Sequence, residues 1–133
     1  MDDIRERVID ARMLWDTDRR EGAFLLALVS VAVRAKLEHP ETNGDRAKYE
    51  AFIRSRLGPR ISVEFRGEQV PLESIFYKWM RCELVHAGGL PVDVEFVEPE
   101  EVGALSVRAG GAPDYVLQVS TAWFEQLIDG AVN

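Results

Sequence analysis

The chain has 133 residues, 47% of them hydrophobic, which suffices for one domain with a buried core. Its 16 basic and 23 acidic residues give a net charge of −7, which argues against a broad, nonspecific nucleic-acid binder because that function needs a basic footprint to release counterions. A lone cysteine, Cys82, excludes an internal disulfide framework and a cysteine-based zinc site.

The first expected helix carries Ile4, Val8, Ala11 and Trp15 at helical spacing, with Asp2 and Asp3 at its favourable N-terminal end. A charged joint, Asp16 to Glu21, leads into the run Ala23 to Val33. That run is apolar all round, which predicts a helix surrounded by protein. The longest uncharged stretch, Gly22 to Val33, is too short to cross a bilayer and lies too far in, behind charged residues, to be a secretory signal. A soluble, cytoplasmic chain without membrane contact is the expectation.

His39-Pro40 to Gly44 reads as a loop, after which Asp45 can cap a third helix with Tyr49, Phe52, Ile53 and Leu57 on its inner stripe. Gly58-Pro59 ends it. Ile61 to Phe65 alternates apolar and polar residues as a short strand or extended loop would. Pro71 suits the first position of a fourth helix, whose apolar face comprises Leu72, Ile75, Phe76, Trp79, Met80 and Leu84.

Beyond Pro91 the period changes. Val92, Val94 and Phe96, then Leu105 and Val107, then Tyr115, Leu117 and Val119 form three strand candidates, with a turn signal at Gly110-Gly111-Ala112-Pro113. Ser120 or Thr121 can cap a last helix with Trp123, Phe124, Leu127 and Ile128 facing inward. The fold class expected is mainly α: a bundle of about four helices over residues 1–90, then a small C-terminal antiparallel β element and a final helix over 91–133. All of it packs as one domain, 1–133.

The residues richest in chemistry end the fourth helix: Arg81-Cys82-Glu83-Leu84-Val85-His86, followed by the helix-stopping Ala87-Gly88-Gly89-Leu90-Pro91. The protein has only two histidines, and His86 lies five residues from a permanent cation, so the pair could bind a phosphate and move a proton beside it. The plainer alternative is a surface arginine and a histidine placed where positive charge favours a helix C-terminus. On an α-helix, positions 81 and 86 differ by about 140°, so they share a cleft only if the helix end unwinds or a second subunit contributes.

The stretch Ile75-Phe76-Tyr77-Lys78-Trp79-Met80-Arg81-Cys82-Glu83-Leu84-Val85-His86-Ala87-Gly88-Gly89 resembles the signature of HEPN domains, helical bundles marked by Arg-x4-6-His near the end of one helix. The resemblance covers residues 1–90 and leaves out the β-rich tail. It implies a homodimer in which two Arg/His pairs meet, and no cofactor or metal. For an active member it implies a metal-independent RNA endonuclease of a toxin or defence system, with an RNA substrate and an antitoxin or nucleotidyltransferase partner. Arg81 would hold the phosphate and its developing charge, and His86 would transfer the proton. Glu83, Cys82 and Tyr77 would support them. The position after the arginine is often polar in active members, and here it is Cys82. That departure favours the alternative, a catalytically inactive HEPN-like module binding a nucleotide or a protein.

Other candidates weigh less. Cys82 and His86 share a helical face, but a mid-helix cysteine reads as a small hydrophobe, and a hydrolase using it is a remote third class. Glu83 and His86 lack a second Glu-x-x-His for a bundle metal site. His39 reads as a loop residue. Six basic residues between Asp45 and Arg66 (Arg46, Lys48, Arg54, Arg56, Arg60, Arg66) stand against three acidic ones. Arg54, Arg56 and Arg60 are the candidates for binding a phosphate chain, while solvated faces of alternating sign are the simpler account. Trp15, Trp79 and Trp123 fall on apolar stripes and read as core.

Overall fold

The computed structural model describes residues 2–57, 61–99, 101, 105–109 and 116–133. The chain is mainly helical, with small sheets and a final helix. Its contacts divide it into two compact units, residues 1–59 with 124–133 and residues 60–123.

The first unit holds α1 (Asp2–Asp16), α2 (Arg20–Glu38), α3 (Asp45–Arg56) and the bulk of α6 (Trp123–Val132). Ile4, Val8 and Ala11 bury one stripe of α1, as their spacing predicts. The joint to α2 is tight: the Thr17 hydroxyl donates to the carbonyls of Met13 and Leu14, and Asp18 takes a left-handed φ of 61°. Trp15 stacks on Phe124 of α6 with centroids 4.2 Å apart and planes 6° from parallel. Phe24 meets the same ring at 5.9 Å, so three aromatic side chains join α1, α2 and α6.

Two expectations change here. The apolar run of α2 is not enclosed on every side: Phe24, Ala27, Leu28 and Val31 are buried, but Val33 is 37% exposed. Apolarity all round a helix reports what the helix could bury, and neighbours decide how much of it they cover. Asp45 is the first residue of α3 rather than its cap. Gly44 takes the cap position with φ of 90°, and the Asp45 carboxylate lies 3.9 Å from the Lys36 ammonium. Asp45 still serves the helix, because a negative charge in the first turn complements the dipole.

The second unit begins with a hairpin, β1 (Ser62–Phe65) and β2 (Glu68–Pro71), paired antiparallel with Phe65 opposite Glu68. Val63 and Phe65 face inward and Ser62 and Glu64 outward. The two-residue turn, Arg66-Gly67, has positive φ at both positions, 54° and 80°, which is the geometry that follows the twist of antiparallel strands. Pro71 closes β2 in an extended conformation instead of opening the helix.

A continuous helical stretch follows as α4 (Leu72–Ser74), a π-helix (Ile75–Arg81) and α5 (Cys82–Ala87). Leu72, Phe76, Met80 and Leu84 recur every four residues and are all buried. In an α-helix each four-residue step overshoots a turn by about 40°, so this stripe would wind off its face. The wider π turn, with the Cys82 amide donating to the Tyr77 carbonyl, offsets the drift. Gly88, with φ of 78°, ends the stretch in the left-handed region that glycine enters freely.

The C-terminal sheet has the order β3–β5–β4, from β3 (Val94–Val97), β4 (Val107–Ala109) and β5 (Leu117–Ser120). The three strands fall where alternation predicts them. The β4–β5 pair is antiparallel, as expected, but β3 runs parallel to β5, so the sheet is mixed. The reason is topological: β4 occupies the connection between β3 and β5 and pairs on β5's other edge, leaving β3 to join by a crossover. The Gly110-to-Pro113 turn signal and Tyr115 lie outside the described residues. Trp123 closes this unit, its ring edge-on to Phe76 at 5.3 Å and its indole N–H donating to the Ser106 carbonyl. Ser120 Oγ accepts from the Ala122 amide in the turn that precedes α6.

Candidate functional site

Arg81 is the last residue of the π-helix and sits half-buried. Its Nε is buried without a hydrogen-bond partner among the described residues. Nη1 lies 3.9 Å from Cys82 Sγ, a weak contact, and the guanidinium carbon is 5.5 Å from the centre of the Tyr77 ring. No carboxylate of the described residues forms an ion pair with it. A buried donor left unbonded costs about 1–3 kcal/mol, so an acceptor that reached it would recover a sizeable free energy. Chemically, this is a cation held against an aromatic ring and short of an acceptor. Phosphate and carboxylate oxygens match its fork of donors.

His86 lies in the last turn of α5 and is exposed. That position favours a positive charge whatever else the ring does. It forms no hydrogen bond with Arg81, which ends the π-helix, whereas His86 belongs to α5. Cys82 and Glu83 are half-buried in the first turn of α5, and Tyr77 is half-buried within the π-helix.

Two of the three phosphate-chain candidates lie on α3. Arg54 and Arg56 belong to the last turn of α3, in the first unit, whereas Arg81 belongs to the second. Arg56 donates to Glu38 at 2.7 Å, and Arg46 of the same basic run donates to Glu50 at 3.1 Å. Arg60 lies outside the described residues.

The structure adds a cluster that the spacing of residues did not suggest. Arg66, at the hairpin tip, donates twice to Asp93, with Nε–Oδ2 2.7 Å and Nη2–Oδ1 2.9 Å. Its guanidinium carbon lies 4.1 Å from the centre of the Trp79 ring and 4.9 Å from that of Phe65. Phe65 meets Trp79 edge-on at 5.2 Å, and the Lys78 ammonium is 4.7 Å from the same indole. The Arg66 hydrogen bonds hold the Asp93 carboxyl below the usual carboxylate range. They also raise the Arg66 pKa further, helped by the charge of Glu83. Left-handed φ in a residue other than glycine costs of order 1–3 kcal/mol and persists only where its surroundings over-determine it. Here a bidentate carboxylate and an aromatic face do so. The signal available in the sequence was Phe65-Arg66-Gly67-Glu68, a two-residue turn with glycine second.

Among the described residues no three His, Cys, Asp or Glu side chains gather as a metal site, and no helix is long and apolar enough to cross a membrane. No family model, curated protein or solved structure matches this chain.

Proposed function

We propose that the chain is a HEPN-like module that binds the phosphate of a nucleotide or of RNA, with Arg81 as the anchor. The single observation that supports this most is the state of Arg81: half-buried, beside an aromatic ring, and, among the described residues, with Nε unbonded and no carboxylate paired to it. An arginine kept for structure alone would ordinarily be given an acceptor, because leaving the donor bare lowers stability. The Tyr77 ring centre lies 5.5 Å from the guanidinium carbon, and Cys82 Sγ lies 3.9 Å from Nη1. The experiment is fluorescence anisotropy with a labelled single-stranded RNA and a labelled nucleotide. Arg81→Ala is expected to weaken binding by about tenfold or more, as removal of one charge-assisted contact does. Equal affinity in wild type and Arg81→Ala, or no binding by wild type, refutes the reading.

The exposure of His86 favours a second reading, in which the same module is a metal-independent RNA endonuclease of a toxin or defence system. Five α-helical steps would set positions 81 and 86 about 140° apart, so this reading calls for a homodimer, with Arg81 of one copy meeting His86 of the other. Arg81 would stabilise charge on the phosphate while His86 moved the proton of the attacking 2′-hydroxyl. Cleavage that persists in chelator and disappears in His86→Ala, with RNA binding retained, would select this reading. Intact RNA across a varied panel would leave binding alone.

A further inference from the structure

We propose that Arg66 is a positioning residue for Arg81, acting through the Trp79 ring to hold the π-helical turn that keeps Arg81 ready for a phosphate; this rests on the reading of Arg81 as the phosphate anchor. Three features that folded chains usually avoid occur in one run of contacts within the second unit. Arg66 takes a left-handed backbone conformation, Ile75–Arg81 is a π-helix, and Arg81 Nε is buried without a partner. Strained residues and π turns concentrate at working sites because ordinary selection for stability removes them elsewhere.

The contacts run in order. Asp93 grips Arg66 with two hydrogen bonds, Arg66 lies 4.1 Å over Trp79, and Trp79 sits inside the π-helix two residues before Arg81. Lys78 and Phe65 crowd the same indole. A ring so fixed resists the rotation about the helix axis that tightening the π turn to α would require.

The test uses the full chain, labelled with 15N, and follows the Arg81 Nε–H signal with inorganic phosphate as the probe. Arg66→Gly suits the turn, since glycine accepts the positive φ, and removes the guanidinium from Trp79. It is expected to speed solvent exchange of the Arg81 Nε–H and to raise the phosphate Kd, each by about tenfold. Arg66→Lys keeps the charge without the planar fork and should fall between the two. If Arg66→Gly fails to fold, Asp93→Asn replaces it, with the same expectation. Unchanged exchange and unchanged Kd in the folded variant overturn the proposal. A wild-type signal indifferent to phosphate overturns the anchor reading instead, and the exchange rate alone then decides whether Arg66 positions Arg81.

Discussion

Arg66 and Asp93, 27 residues apart in sequence, meet through two parallel hydrogen bonds of 2.7 and 2.9 Å and tie the tip of the first hairpin to the residue preceding β3. The guanidinium side of the pair is roofed onto Trp79, so one ion pair links the hairpin, the π-helix and the start of the C-terminal sheet.

This pair gives the fold a pH dependence of known sign. The Asp93 carboxyl is lowered in the folded chain, chiefly by the hydrogen bonds from Arg66, so the unfolded chain binds a proton there more readily. The stability it contributes is present above the ordinary carboxylate range and is lost as pH falls through the lowered value. A pair this exposed is worth about 1 kcal/mol or less. In urea unfolding, the difference between wild type and Asp93→Asn should be greatest near neutrality and shrink in acid. A difference that grows in acid contradicts the assignment.

Gly67→Ala should destabilise the hairpin by about 1 kcal/mol or more, because φ of 80° suits glycine and strains alanine. Nothing lies within 4 Å of where the added Cβ would sit, so the loss is backbone strain without a steric clash. Thermal unfolding checks it, and an unchanged midpoint would refute the turn geometry.

Leu28 is wholly buried on α2 and Leu28→Ala should cost about 2–5 kcal/mol. Denaturant unfolding reads this directly. A midpoint equal to wild type would mean that the inner face of α2 is not where the core lies.

Phe124→Ala should remove about 3–5 kcal/mol and change the emission of Trp15, whose ring stacks on Phe124 at 4.2 Å. The coupled cycle with Trp15→Leu should show non-additivity, since the two rings share one contact. Strict additivity would rule out the stack.

Cys82→Ser should leave RNA affinity as in wild type, because its sulfur touches Arg81 only at 3.9 Å and a hydroxyl of similar size replaces it. Loss of binding in this variant, with Arg81→Ala unaffected, would move the site from the arginine to the thiol.

The sequence by itself determined where most elements lie. Apolar residues at helical spacing placed α1, α3 and α6, a long apolar run placed α2, and alternation placed β1 and the three later strands, because burial imposes those periods on any chain that hides one face. The candidate arginine and histidine were equally legible, since a rare residue beside a permanent charge needs no structure to be noticed. Only the tertiary structure decided the rest. Spacing could not show that the helix of Arg81 contains a π turn, because α and π turns share the same local residues and differ in what the four-residue stripe of Leu72, Phe76, Met80 and Leu84 must face. Nor could it show that β3 joins β5 in parallel, since strand direction follows from connections and not from alternation. The pairing of Arg66 with Asp93 was illegible for the same reason: an ion pair across 27 residues exists only when the fold brings its ends together, whereas the local sequence records only that two charges are present.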